Sequence, residues 1–294
     1  MAIAESELIL NQDGSIYHLN LKPEHLANTI ITVGDPDRVS KVTQYFDTVE
    51  HTISKREFHT QTGTYKGKRI TVISTGIGTD NIDIVFNELD ALVNIDFETK
   101  EIKKEHTSLN IIRIGTSGAI QSEIPIDSFI VSELAIGFDS LLHFYDSKDI
   151  QFPQISEPLM KHLDWDKDKS TPYVVSFDKK LGRHMQSNQT SKGFTITNVG
   201  FYGPQGRVLR LPTSDATLND KIASFSYADK KITNLEMETA GIYGMAKLLG
   251  HRAVSMNAMI ANRATGQFSN DPKKAVDNLI KYTLDKIVSY MDLI

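Results

Sequence analysis

Four short stretches of this sequence combine guanidinium, carboxylate, amide and glycine groups in patterns that suit a small polar substrate. In Gly34-Asp35-Pro36-Asp37-Arg38, the glycine lets backbone approach a ligand, and Arg38 can clamp an anion. The same run also reads as a turn opening a helix, with Asp at its N-cap and an incidental surface arginine. Arg113-Ile114-Gly115-Thr116-Ser117-Gly118 sets a charge among apolar residues, where it is seldom buried without an ionic partner. Its Gly-Thr-Ser-Gly portion would offer N–H groups and two hydroxyls to phosphate, or form a tight turn beside a structural salt bridge. Asn234-Leu235-Glu236-Met237-Glu238-Thr239-Ala240-Gly241 carries two carboxylates, each able to accept two hydrogen bonds from vicinal ribose hydroxyls. A capped helix start is the other reading, and it explains Glu238 better than Glu236. Gly200-Phe201-Tyr202-Gly203-Pro204-Gln205-Gly206-Arg207 supplies a donor–acceptor amide, a donor-only guanidinium and a ring for stacking. Those groups would read a pyrimidine dione, although an ordinary surface loop has the same composition.

Other chemistries are excluded. The 294 residues include no cysteine, which removes disulfides, thiolate catalysis and cysteine-ligated metal. The nine histidines show neither H-x-x-x-H nor H-E-x-x-H spacing, so zinc hydrolysis is not expected. No G-x-S-x-G elbow and no Walker loop is present. A net charge of −5 argues against general binding to nucleic acid or to an anionic membrane. The N-terminal residues do not read as a secretory signal, and no run of about eighteen apolar residues could span a bilayer. A soluble cytoplasmic protein is expected.

The positioning elements follow from periodicity. Short apolar runs at 30–33, 69–73, 110–114, 129–132 and 253–260 predict strands buried on both faces. Several end in glycine-rich turns. Helical periods cover 80–93, 238–249 and 273–291, the last with Val276, Leu279, Ile280, Leu284, Ile287 and Val288 on one side. Strand, turn and helix in alternation is the α/β signature, and ligands in such sheets gather at the carboxyl ends of strands. There is no internal repeat or linker. The charge-dense 98–106 and the stretch 165–170 read as solvated surface.

These stretches, with Ser54-Lys55-Arg56-Glu57-Phe58 and Ser74-Thr75-Gly76-Ile77-Gly78, are collinear and resemble the nucleoside phosphorylase family, which includes uridine phosphorylases and hexameric purine nucleoside phosphorylases. The resemblance runs from about Tyr17 to the C-terminus. It implies a single-domain α/β/α sandwich around a mixed, distorted central sheet or barrel, spanning 17–294 after an N-terminal extension of residues 1–16. It assigns phosphate to Gly34, Arg38, Arg113 and Thr116, with Arg56 reaching the phosphate of a neighbouring subunit. His18 would reach the ribose 5′-hydroxyl across that interface. Glu236, Met237 and Glu238, with Thr116, would hold the ribose. Phe201, Gln205 and Arg207 would hold the base, supported by Arg263. Arg113, Gln205 and Arg207 would carry catalysis.

Purine-cleaving members place an aspartate after the late strand to protonate N7. Here Asn262 occupies that place, which points to uridine. The nucleoside and inorganic phosphate would be the only small-molecule partners, with no cofactor. A monovalent cation, K⁺, at Glu57, Ile77 and Asn81 is a family feature that Thr79-Asp80-Asn81 leaves open, because related enzymes read Gly-Pro-Ser there. A homodimer unit is expected, assembled into a hexamer unless the added residues near 96–108 and 118–200 block it.

Overall fold

Ile30, Ile31, Ile111 and Ile112 are fully buried, as residues of a central strand must be when layers cover both sheet faces. The structure, a computed structural model, describes residues 2–293; the end of the expected 17–294 domain lies outside them. In the first part of the chain come β1 (Thr29–Val33), α1 (Pro36–Thr43), β2 (Thr48–Lys55), β3 (Phe58–Tyr65), β4 (Lys68–Ser74) and α2 (Thr79–Asn94). A small hairpin, β5 (Ile95–Asp96) and β6 (Glu101–Ile102), leads to β7 (Asn110–Ala119) and β8 (Phe129–Gly137). Next are α3 (Pro153–Leu163), β9 (Tyr173–Ser176), α4 (Lys179–Met185) and β10 (Thr190–Thr197). The chain closes with α5 (Leu218–Ser224), β11 (Ser226–Tyr227), β12 (Lys230–Lys231), β13 (Asn234–Glu236), α6 (Thr239–Leu248), β14 (Arg252–Asn262), β15 (Gln267–Phe268) and α7 (Pro272–Met291).

The main sheet runs β15-β14-β8-β10-β13-β7-β1-β4-β3-β2, with β9 on β8. Strand β14 also pairs with β7, so β14, β8, β10, β13 and β7 close on themselves as a small barrel from which β1 to β4 extend. Pairing is mixed: β7 is parallel to β1 and β14 but antiparallel to β13. Helices α1, α4 and α7 associate in one group, and α2 packs on α6 in another. The predicted strands and helices are all present. Residues 2–16 pack on the main core through Leu8 and Ile16. Residues 98–106 include the exposed β6 and the loop after it. The span 118–200 supplies β8 and β10 of the barrel. Among the described residues no helix is long and apolar enough to cross a membrane.

One detail of the topology makes the site. Strand β1 pairs with β7 only as far as Arg113, and β13 joins the same edge only from Gly118. Residues 114–117 therefore have β14 on one edge and an opening on the other. The expected turn at Gly115-Thr116-Ser117-Gly118 is not there: β7 continues to Ala119, held in register by Asn257↔Gly115 and Ala258↔Thr116.

Candidate active site

The opening leads into a cavity of about 700 Å³. Of the residues singled out from sequence, Gly34, Arg38, Arg113, Thr116, Phe201, Gln205, Arg207, Glu236, Met237 and Glu238 all line it. They arrive from the ends of β1, β7 and β13 and from the loop after β10. The four stretches thus form one site that combines the Arg38 and Arg113 guanidinium groups, the Glu236 and Glu238 carboxylates and an amide–guanidinium pair.

Arg113 is 6% exposed and bears out the salt-bridge reading of its sequence, while still lining the cavity. Its Nη2 lies 2.6 Å from Glu238 Oε2 and 3.2 Å from Glu236 Oε2, and Nη1 donates to Asn257 Oδ1 at 2.7 Å. The guanidinium folds back across Gly115, where any Cβ would overlap it. Burial by itself would lower the Arg113 pKa, but Glu236 and Glu238 outweigh it and hold the group above the ordinary arginine value. Arg38 stands beside it, with Nη1 donating to the Ile114 carbonyl at 3.3 Å in the open edge. Burial, then repulsion from Arg113, lowers the Arg38 pKa.

The two glutamates exchange the roles their sequence suggested. Glu236 caps α6: its carboxylate accepts the N–H groups of Glu238 and Thr239 at 2.9 Å and the Thr197 hydroxyl at 2.6 Å. Glu238 sits at the N-cap position but makes no side-chain cap bond. Its carboxylate turns instead to the Gly78 N–H at 2.9 Å and to Arg113. Glu238 is thus less committed to local structure and better placed for a substrate hydroxyl. Burial raises its pKa; Arg113 opposes this and Glu236 adds to it.

In the amide–guanidinium pair, Arg207 Nη1 donates to Gln205 Oε1 at 2.6 Å and to the Phe201 carbonyl at 2.7 Å. Its guanidinium lies 3.7 Å from the Phe201 ring centroid, so that face of Phe201 carries a cation rather than an open stacking surface. Gln205 is buried, and Arg263 holds the turn from outside the cavity lining by donating to the Gln205 carbonyl at 3.0 Å. Burial, then repulsion from Arg263, brings the Arg207 pKa down to about 10.

His18 and Arg56 do not line the cavity. Both gather around Tyr17: the His18 ring packs against it at 4.7 Å, and Arg56, exposed in the tight turn between β2 and β3, lies 5.9 Å from its centroid. Glu88 fixes His18 by accepting from Nδ1 at 2.6 Å and from its backbone N–H. Glu57, Ile77 and Asn81 do meet, at the cavity rim, where Asn81 Nδ2 donates to the Ile77 carbonyl at 3.4 Å.

Sequence reasoning missed Asn257 and Thr197, which hold Arg113 and Glu236. Both are polar residues inside apolar strand runs, the same signal that marked Arg113. A second group, Asp90, His106 and His251, has metal-like proximity. His251 Nδ1 accepts the Leu109 N–H at 3.2 Å, so Nε2 carries the proton toward Asp90 and presents no lone pair to a cation. Asn262 is buried and does not line the cavity. Its Nδ2 donates to the Gln121 and Ile124 carbonyls at 2.9 Å, and Oδ1 accepts from Ala264 and Thr265.

Comparison with known proteins finds relatives along most of the chain. The model of the phosphorylase superfamily matches residues 28–289. A uridine phosphorylase of Thermococcus kodakarensis is 30% identical over 90% of this chain and 83% of its own length. A DeoD-type purine nucleoside phosphorylase of Shewanella denitrificans is 27% identical over 92% of this chain and 98% of its own. A Trypanosoma brucei nucleoside phosphorylase, whose crystal structure is described as showing uridine phosphorylase activity, superposes with a TM-score of 0.85 at 29% identity, covering 96% of this chain and 99% of that one.

Proposed function

The chain belongs to the phosphorylase superfamily, and from that premise we propose that it cleaves uridine with inorganic phosphate to give uracil and ribose 1-phosphate. The observation that carries this reading is the set of groups lining one cavity: Arg38 and Arg113, Glu238, and Gln205 with Arg207. Anion, sugar and dione each meet the group that suits them.

A phosphate oxygen held by Arg38, Arg113 and Thr116 attacks the anomeric carbon. The C–N bond to uracil breaks, its electron pair passes into the uracil ring, and the proton of hydrogen phosphate ends on the released base. Arg207 and the Gln205 amide stabilise negative charge on the departing ring. Glu238 accepts from a ribose hydroxyl and holds the sugar in line. The positive ribosyl centre of the transition state lies between phosphate and carboxylate, so preorganised charge supplies most of the acceleration.

Uridine is preferred over purines because Gln205 and Arg207, which suit a pyrimidine dione, line the cavity, while the side chain of Asn262, at the place of an N7-protonating acid, is turned away from it. An aspartate there would aim a carboxylate at two carbonyl oxygens in place of the Asn262 Nδ2 contacts. His18 and Arg56 are proposed to complete the site of a second copy in a homodimer. A monovalent cation at the rim would draw on Glu57, Ile77 and Asn81. The test is a panel of uridine, thymidine, cytidine and inosine, with and without phosphate, read for released base. Uridine cleavage that requires phosphate is expected. Phosphate-independent cleavage, or equal kcat/KM for inosine, would overturn the proposal.

A further inference from the structure

Behind the anion end lies a second cavity of about 370 Å³, walled in part by Arg38, Lys41, Thr116, Lys273, Val276 and Asp277. Arg38, Thr116 and Ile260 line both cavities, so the two adjoin at these residues. We propose that the second cavity is an entry vestibule for inorganic phosphate, opening onto the anion end from the side opposite the nucleoside. The proposal rests on the phosphorolysis reading above and adds a route to it.

The charge distribution supports an anion. Lys41 near the end of α1 and Lys273 at the start of α7 are exposed, and among the described residues neither has an ion-pair partner. Asp277, the one acid in the wall, is already matched by Lys281 at 2.8 Å and by the Tyr45 hydroxyl at 2.5 Å. Arg38 then continues the positive series inward to Arg113. A cleft lined by one sign of charge concentrates counter-ions and raises association rates by roughly 10- to 1,000-fold. The geometry also has a use. A nucleoside seated between Glu238 and the Gln205 turn lies across the main cavity, and phosphate entering there would have to precede it. A side entrance removes that order.

The measurement is ³¹P line broadening of inorganic phosphate by the full-length protein, which gives association and dissociation rates without turnover. It is made on wild type, Lys41→Glu/Lys273→Glu and Lys41→Gln/Lys273→Gln, at low and high ionic strength, each with and without saturating uracil as an occupant of the base end. The charge-reversed variant should slow phosphate association about tenfold at low salt, with the deficit shrinking as salt screens the field. The neutral variant should fall between. Wild-type exchange should persist with uracil bound. Unchanged association in the charge-reversed variant, or exchange in wild type abolished by uracil, overturns the vestibule. Steady-state uridine cleavage by wild type separates the two claims. Phosphate-dependent cleavage with unaltered association in the variants sinks the vestibule alone, whereas phosphate-independent cleavage sinks the phosphorolysis reading. A wild type that does not broaden the phosphate signal sinks the vestibule, and it sinks the phosphorolysis reading as well only where cleavage is phosphate-independent.

Discussion

Gly115→Ala should disarm the anion end through one methyl group. A Cβ at Gly115 would overlap Arg113 Nη1 and Cζ and stand 2.8 Å from Nη2. Heavy atoms settle about 3.5–4.0 Å apart, so the guanidinium must retreat by more than roughly 1 Å. Its bonds to Glu238 at 2.6 Å and Asn257 at 2.7 Å cannot survive that movement unchanged. Hydrogen bonds to charged groups contribute about 1.5–3 kcal/mol each, and the partners are buried, so a loss of about 3 kcal/mol in stability is expected. For a chain of this size that lowers Tm by roughly 6 °C. A misplacement of about 1 Å at a reacting group costs on the order of 100-fold in rate, so kcat/KM for phosphate should fall by about that factor. Differential scanning calorimetry and phosphate-dependent kinetics read the two effects. A double-mutant cycle supplies the control: with Arg113→Ala already present, Gly115→Ala should be nearly neutral, because the three atoms nearest the added Cβ all belong to Arg113. A folded Gly115→Ala enzyme with wild-type Tm and phosphate kinetics would refute the reasoning, as would equal damage in both backgrounds.

Glu238→Gln should lower uridine kcat/KM by about 10- to 100-fold, the worth of a hydrogen bond to a charged group. The wild-type acid limb should lie above the usual glutamate value of 4.5, since burial raises the Glu238 pKa and activity is lost as pH falls through it; the glutamine variant should lack that limb. Gln205→Leu should strand Arg207 in the base pocket and reduce uridine kcat/KM by roughly 100-fold or more, measured by uracil release. Asn262→Asp should destabilise the fold by about 2–4 kcal/mol, because two carbonyls lose their donor. A carboxyl so placed titrates above its unfolded value, so the deficit should grow as pH rises through its folded pKa and shrink in acid, as Tm against pH would record. That variant should gain no inosine cleavage. Arg56→Ala mixed with Glu238→Ala should recover part of the activity if subunits share sites; no recovery, with exchange verified by mass, would count against it.

Much of this was legible in sequence because apolar runs and charges report burial directly. The strands at 30–33 and 110–114 lack polar alternation, so they had to be central. Arg113 stood out in such a run, although sequence offered anion binding and salt bridging as alternatives, and the structure satisfies the pairing while leaving Arg113 in the cavity wall. Strands β2 and β3 carry mixed polar faces such as Thr48-Val49-Glu50-His51, so no run marked them. Closure of the barrel was invisible, because β7 meets β14 across more than a hundred residues and register depends on the whole packing. That same pairing turned an expected Gly-rich turn into strand. The exchange between Glu236 and Glu238 depends on the backbone at Glu238 (φ −135°, ψ −31°), which directs one carboxylate to the helix and releases the other. Residue spacing alone cannot distinguish these outcomes.

The central claim is phosphorolysis with uracil as the leaving group. The direct measurement is an equimolar mixture of uridine and inosine with inorganic phosphate, followed by ³¹P spectroscopy and by chromatography of the bases. The account predicts that ribose 1-phosphate appears one for one with uracil while inosine persists. Hypoxanthine appearing as fast as uracil, or uracil released without ribose 1-phosphate, would contradict it.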